Sequence, residues 1–256
     1  MTACVFGYYV SKFQRCKKSY TNKDRYLDLT VTAGLKDYTE IQPARTELFR
    51  QIGFPGPDGM HSMPFKMAQE YFKSARDGVL VDVSCGSGLF SRKFAKSRTY
   101  SGVVALDFSE SMLRQCYDFI KKDDTLSTTY SFSLPLKNQM FIVFLFETQM
   151  HSIVFHFVVC SNIALVWADV SRLPFSSGSV DAVHAGAALH CWPSPSNAVS
   201  AVSLCDEQKN VWVGRTPQGY GYLTEEEIRD LCTSCGLTNY SSKTQQAFIM
   251  FTAQKP

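Results

Sequence analysis

Residues 79–89 read VLVDVSCGSGL, and this stretch decides the fold of the chain. The apolar run Val79–Val83 predicts a buried strand, and the glycines that follow open a helix. Because glycine carries only hydrogen on Cα, Gly86 and Gly88 would let a ligand approach the backbone closely. An ordinary strand-to-helix turn is the alternative interpretation of these two glycines taken alone.

Strand and helix patterns alternate on both sides of this stretch. Before it, apolar residues from Phe65 to Ala75 recur at helical spacing. After it, strands are predicted at 102–106, 163–167, 180–185, 211–214 and 247–253, and helices after Gly88, after Ser109, at 196–204 and after Thr224. Thr224 and Glu227 form a capping box in front of the last helix. This alternation predicts an α/β fold with a doubly wound, mostly parallel sheet and helices on both faces.

Two acidic residues at the ends of predicted strands complete the candidate site. Asp107 lies 19 residues after Gly88, where a carboxylate can accept hydrogen bonds from both hydroxyls of an adenosine ribose. No third glycine follows at the spacing of a dinucleotide motif, so a pyrophosphate cradle is not evident. Asp169 could accept from an adenine amino group, or it could simply cap the next turn. The pattern therefore predicts a nucleoside cofactor.

Residues 79–113 and 163–193 resemble the class I S-adenosylmethionine-dependent methyltransferases of the type 11 group. Two segments are similar to the sequences of plant chloroplast members of this group: VDVSCGSGLFSRKFA and ADVSRLPFSSGSVDAVHAGAALHCWPSP. The resemblance implies a Rossmann-like fold in which a final hairpin inserts an antiparallel strand. It also implies S-adenosylmethionine as cofactor and a plastid location, although no targeting peptide is visible at the start of this chain.

Carried over by position, the resemblance implies a contact for each part of the cofactor. Asp82 and the two glycines would border its methionine part, Asp107 would hold its ribose and Asp169 would reach its adenine. Ser84 stands where many relatives have glycine. The candidate cofactor-binding set is Asp82, Ser84, Gly86, Gly88, Asp107, Phe108, Met112, Ala168, Asp169 and Val170.

The resemblance implies methyl transfer to a small, apolar or phenolic acceptor. His190 is the candidate for removing a proton from that acceptor, with a packed histidine as the alternative, and His184 is expected to be structural. A catalytically impaired remnant that binds the cofactor poorly is one rival hypothesis. A nicotinamide-dependent oxidoreductase is the second, disfavoured by the missing third glycine.

The amino-acid composition limits the classes of partner that this chain is expected to bind. A chain of 256 residues, 45% of them hydrophobic, can bury the core of one large domain. Its net charge of +3 comes from scattered basic residues, so neither nucleic acid nor an anionic membrane is an expected partner. Nine cysteines without a regular framework suit a reducing compartment. No metal site is expected. Cys232 and Cys235 lie on an apolar helix face, and Cys16, which resembles a remnant of a zinc ribbon, has only Cys4 as a possible second ligand.

The predicted domain organisation has a leader and one interrupted domain. Residues 1–60 are expected to be an irregular leader and linker, and residues 61–256 the methyltransferase domain. The segment 127–160 has no counterpart in the family, and charged and polar residues interrupt it as a membrane span. A membrane-leaning insertion, an edge β-hairpin and translated intron are the hypotheses for it, and translated intron is favoured. Together with helical and lid segments shorter than in relatives, it suggests an aberrant or truncated gene model.

Overall fold

The computed structural model describes most of the chain between residues 62 and 254 and parts of the stretch before it. The described residues are 10–12, 19–23, 26–28, 62–127, 162–173, 175, 179–186, 188–189, 192–205, 211–215, 223–245 and 248–254. The predictions for His190, for Cys16 and for 128–160 lie outside these residues.

The described strands form one sheet of ten strands in the order β1-β2-β3-β6-β5-β4-β7-β8-β10-β9. Their bounds are β1 Val10–Lys12, β2 Ser19–Lys23, β3 Tyr26–Asp28, β4 Val79–Val83, β5 Gly102–Asp107, β6 Ile163–Trp167, β7 Ala182–Ala185, β8 Val211–Arg215, β9 Thr238–Gln245 and β10 Phe248–Gln254. Strands β3 to β8 pair in parallel, and β10 enters antiparallel between β8 and β9. The predicted doubly wound sheet and its final antiparallel insertion are confirmed.

Six helices of the described chain connect or flank these strands. They are α1 Ser62–Tyr71, α2 Leu89–Ser97, α3 Glu110–Lys121, α4 Asp124–Ser127, α5 Pro195–Cys205 and α6 Glu225–Ser234. Helix α3 begins where Ser109 accepts a hydrogen bond from the Met112 backbone N–H. Helix α6 begins with the predicted capping box, in which Thr224 and Glu227 satisfy each other's backbone N–H groups. None of the helices in the described part of the chain is long and apolar enough to cross a membrane.

Alternation of side chains along the buried strands produces two apolar clusters, one on each face of the sheet. Val81 and Val83 of β4 face one cluster, which also holds Trp192, Ile228 and other residues from helices α5 and α6. Leu80 of the same strand faces the second cluster, which α1, α2 and α3 cover. Every residue of β4 is buried, as expected for the central strand of a parallel sheet.

Three short strands lie in the described parts of the first 60 residues, for which an irregular leader was predicted. Strand β2 pairs antiparallel with β1 on one side and with β3 on the other, and β3 pairs in parallel with β6. Tyr26 of β3 is buried, donates a hydrogen bond to Glu110 at the start of α3, and packs edge-on against Trp167. These strands are three to five residues long, so they are too short to show a periodic pattern in the sequence.

Candidate functional site

The candidate site lies where the direction of strand addition reverses. The chain proceeds from β4 to β5 and β6 on one side, and then returns to add β7 and β8 on the other side of β4. In an open α/β sheet, ligands bind at this point, outside the carboxyl ends of the strands. The loop 84–88 follows β4 there, and Asp107 ends β5 beside it.

The loop 84–88 turns through left-handed backbone conformations. Ser84, Gly86 and Gly88 have φ values of 54°, 56° and 74°. A Cβ added to Gly88 would overlap the Sγ of Cys116 on α3, so glycine is needed there for packing as well as for conformation. A Cβ added to Gly86 would meet no atom within 4 Å, which shows that the space over Gly86 is open.

Asp107 holds this loop against the end of β5. Its Oδ2 accepts a hydrogen bond from the Gly86 N–H at 2.8 Å, and its Oδ1 accepts one from the Ser109 N–H at 2.7 Å. Burial raises the pKa of the Asp107 carboxyl to about 6, although these backbone N–H donors act in the opposite direction. The carboxylate and the glycine loop therefore meet as the sequence predicts.

Asp82 is fixed by two side chains from neighbouring elements. The register of β4 against β7 places it directly opposite His184, and the Asp82 Oδ1 lies 2.7 Å from the His184 Nδ1. The Asp82 Oδ2 accepts a hydrogen bond from the Ser91 hydroxyl of α2. Both Asp82 and His184 are fully buried, so their mutual contact satisfies polar groups that would otherwise be costly to bury. His184 is structural, as expected, but its contact with Asp82 was not predicted.

Asp169 caps the short 3-10 turn Val170–Arg172. Its Oδ1 accepts hydrogen bonds from the backbone N–H and the hydroxyl of Ser171, both at 2.8 Å. Ala168 and Val170 on either side are buried, and the Ala168 N–H donates to the Asp107 carbonyl at 3.1 Å. The capping role that the sequence left open is thus present, and it fixes Asp169 beside the end of β5.

Phe108 and Met112 follow Asp107 closely in the chain, Phe108 directly after β5 and Met112 in the first turn of α3. The Phe108 carbonyl accepts a hydrogen bond from the Trp167 indole at 2.7 Å, which orients the turn after β5. The Met112 side chain is buried in the first turn of α3.

Cys85 in the loop is unsuited to nucleophilic chemistry. A hydrogen bond with the Cys116 thiol and burial raise the pKa of Cys85 well above its usual range. A neutral thiol is a weak nucleophile, so the loop contributes shape and backbone N–H groups rather than a covalent intermediate. Among the residues that the structure describes, no cluster of three or more His, Cys, Asp or Glu side chains could hold a metal ion.

Ser84 is bound from the other side of the loop. The Trp192 indole N–H donates to the Ser84 hydroxyl at 2.9 Å, and Trp192 is buried in the segment between β7 and α5. Trp192 could not be identified from the sequence as a partner of Ser84, because the strand order that brings the two together is not visible in the sequence. His190 lies two residues earlier in the same segment, outside the described residues.

These residues fit a nucleoside cofactor. The open space over Gly86 admits a ligand against the backbone, and the Asp107 carboxylate borders the loop that would enclose it. Asp107 and the loop would hold the ribose and the methionine part, and the turn at Asp169 would reach the base. Asp82 would border the methionine part together with the loop, and Ser91 and His184 fix the position of its carboxylate.

The fold and the site together define a Rossmann-like enzyme with a nucleoside-cofactor site at the switch point of its sheet. A family model described as a methyltransferase domain matches residues 81–159. An uncharacterized chloroplastic methyltransferase of Arabidopsis thaliana is 48% identical over 281 residues, which covers 96% of this chain and 70% of that protein. A second one from the same plant is 37% identical and covers 94% of this chain and 69% of its own length. The chain belongs to the class I S-adenosylmethionine-dependent methyltransferases.

Solved structures share the architecture at low sequence identity. A SAM-dependent methyltransferase from Aquifex aeolicus superposes with a TM-score of 0.59 at 11% identity, covering 85% of this chain and all of that one. Magnesium protoporphyrin IX methyltransferase from Synechocystis with bound SAM gives a TM-score of 0.56 at 12% identity, covering 84% and 92%. The predicted class, fold and cofactor are confirmed, and methyl transfer is favoured over the nicotinamide-dependent rival.

Proposed function

We propose that this methyltransferase acts on a small, apolar or phenolic acceptor, and that residues 61–256 form its catalytic domain. The glycine loop, Asp107 and the turn at Asp169 would hold the cofactor. The observation that supports these cofactor-binding residues is the open space over Gly86, which lies beside a buried carboxylate that binds the same loop. The mild net charge of +3 also fits an acceptor without strong charge.

Methyl transfer requires alignment of the acceptor more than it requires acid or base groups. S-adenosylmethionine supplies an activated methyl group when it is bound, so the protein mainly orients the acceptor in line with that group. Asp107 would accept from the ribose hydroxyls, and the loop would fix the methionine part. His190 would remove a proton from a phenolic acceptor as the methyl group is transferred.

A matched pair of glycine variants tests the cofactor site. Gly86 and Gly236 both have positive φ, at 56° and 77°, and a Cβ on either would meet no protein atom within 4 Å. Alanine should therefore cost each position a similar backbone strain of about 1 kcal/mol. Only Gly86 borders the proposed site, whereas Gly236 lies in the turn between α6 and β9.

Calorimetry with S-adenosylhomocysteine measures the difference. We expect Gly86→Ala to weaken binding strongly, because its methyl group would occupy the space that the ligand needs, and Gly236→Ala to bind like the wild type. Equal affinities for the two variants would place the cofactor elsewhere. No binding by the wild type would favour the impaired remnant.

Acceptor chemistry and location have separate tests. Methyl transfer to a panel of small phenols should be faster than transfer to carboxylic acids or amines, and His190→Gln should lower kcat for the phenols more than their KM.

The relatives are called chloroplastic, so we propose a plastid location for this protein, tested by imaging a fluorescent fusion of the full-length product. Sequencing the transcript across codons 127–160 would decide whether that segment is translated intron.

A further inference from the structure

We propose that Trp192 is a positioning residue, which couples the cofactor loop to the acceptor-side segment through its hydrogen bond to Ser84. The inference rests on the proposed cofactor site and extends it to the segment between β7 and α5. Two observations carry it: the left-handed backbone of Ser84 and the buried indole that reaches its hydroxyl.

The left-handed backbone at Ser84 raises the question of why this position holds serine and not glycine. At φ 54° a residue with a Cβ is strained, and glycine would adopt this conformation without cost. A serine there keeps the strain but provides a hydroxyl. The hydroxyl accepts from the Trp192 Nε1 at 2.9 Å, across 108 positions of the chain. Serine in place of glycine therefore has a structural reason rather than marking a damaged loop.

The indole also needs this acceptor. Trp192 is only 6% exposed and packs in the apolar cluster that covers one face of the sheet. A buried indole N–H without a partner loses the hydrogen bond it would make to water. Its bond to Ser84 therefore ties Trp192 to the loop that follows β4.

The loop is thus held from both neighbouring strands. On the β5 side, Asp107 accepts from the Gly86 N–H, and the Cys85 N–H donates to the Leu106 carbonyl at 3.0 Å. On the β7 side, Trp192 donates to Ser84. A cofactor that orders the loop would order the segment 188–194 as well, and by linkage the position of that segment would alter cofactor affinity by the same factor. This segment includes His190, the proposed acceptor-side residue.

A double-mutant cycle tests the coupling. Ser84→Ala removes only the acceptor and leaves the buried indole N–H without it. The binding-competent conformation of the loop should then be populated less, so S-adenosylhomocysteine should bind about fivefold to thirtyfold more weakly. Trp192→Phe removes the donor, and the double variant should lose less affinity than the product of the single losses. Ser84→Gly removes the acceptor and relieves the strain, so it should fold well yet still bind more weakly than the wild type.

Ser101→Ala is the matched control. It also removes a serine hydroxyl that donates one hydrogen bond, to the Gly78 carbonyl at 3.0 Å, but at the amino ends of β4 and β5, away from the loop 84–88. Its affinity for S-adenosylhomocysteine should equal that of the wild type.

Hydrogen exchange separates coupling from simple stabilisation. In the wild type, S-adenosylhomocysteine should slow exchange in a peptide covering 186–194, and in Ser84→Gly this protection should be lost while protection of the loop peptide remains. Unchanged affinity in folded Ser84→Gly and Trp192→Phe, or equal protection of 186–194, would overturn the coupling. If the wild type itself bound no S-adenosylhomocysteine, the proposed cofactor site would fail, and this inference would fail with it.

Discussion

Protonation of Asp107 should weaken cofactor binding as the pH falls from 7 to 5. The carboxylate accepts from the Gly86 and Ser109 backbone N–H groups at 2.8 and 2.7 Å, and burial raises its pKa to about 6. If only the carboxylate form binds the ribose, about a tenth of the unliganded protein is competent at pH 5, so the apparent Kd should rise about tenfold.

The raised pKa of Asp107 predicts that acid stabilises the unliganded protein, although acid weakens cofactor binding. The folded-state pKa of about 6 lies above the ordinary value of 3.8, so the folded state holds this proton more tightly than the unfolded state. The difference corresponds to about 3 kcal/mol. This group's contribution should therefore raise the free energy of unfolding as the pH falls from about 6 to 4.

Asp107→Asn removes the titration while keeping the size of the side chain. An amide has one oxygen, so it can accept from one of the two backbone N–H groups and presents its NH₂ to the other. Losing hydrogen bonds to a charged acceptor should weaken S-adenosylhomocysteine binding at pH 7 by about 1.5 to 3 kcal/mol. The pH dependence of binding between 5 and 7 should become flat.

Calorimetric titrations of both proteins with S-adenosylhomocysteine at pH 5, 6 and 7 provide the measurement, with circular dichroism to verify folding at each pH. A wild-type Kd that changes less than twofold over this range would refute the reasoning. So would an Asp107→Asn protein that retains the wild-type pH dependence, because the titrating group would then be another residue.

Three further substitutions have defined outcomes. Gly88→Ala should lower the free energy of unfolding by about 2 to 4 kcal/mol in urea denaturation, because its methyl overlaps Cys116 at positive φ, and adding Cys116→Ala should recover part of the loss. His184→Ala should cost about 3 to 5 kcal/mol by removing a buried partner of Asp82, and a loss below 1 kcal/mol would contradict the importance of that contact. Thr224→Ala should cost about 1 kcal/mol through the lost helix cap while leaving S-adenosylhomocysteine affinity unchanged.

Local patterns were sufficient for the central elements of the sheet. The predicted bounds of β4 and β6 agree with the structure, and the caps at Ser109 and Thr224 begin helices as expected. Fully buried parallel strands are continuous apolar runs, and caps depend on residues within one turn, so both are visible in a short window of sequence. The contact between Asp107 and the glycine loop was also predictable, because consecutive strands of an α/β unit lie side by side.

The contacts made by β7 could not be predicted in this way. His184 reaches Asp82 and Trp192 reaches Ser84 only because β7 returns to pair with β4 after two strands have been added on the other side. Strands β1 to β3 were missed for a related reason, since a short edge strand is stabilised by the neighbour it pairs with.

The amino-acid sequence by itself determined the alternation of strands and helices, the glycine loop and the acidic residue that belongs beside it, because each depends on neighbours close in the chain. Only the tertiary structure decided which side chains hold Asp82 and Ser84 in place. Two of those partners, His184 and Trp192, lie more than 100 positions away, and such long-range pairing depends on which strands hydrogen-bond side by side, which the packing of the whole sheet decides.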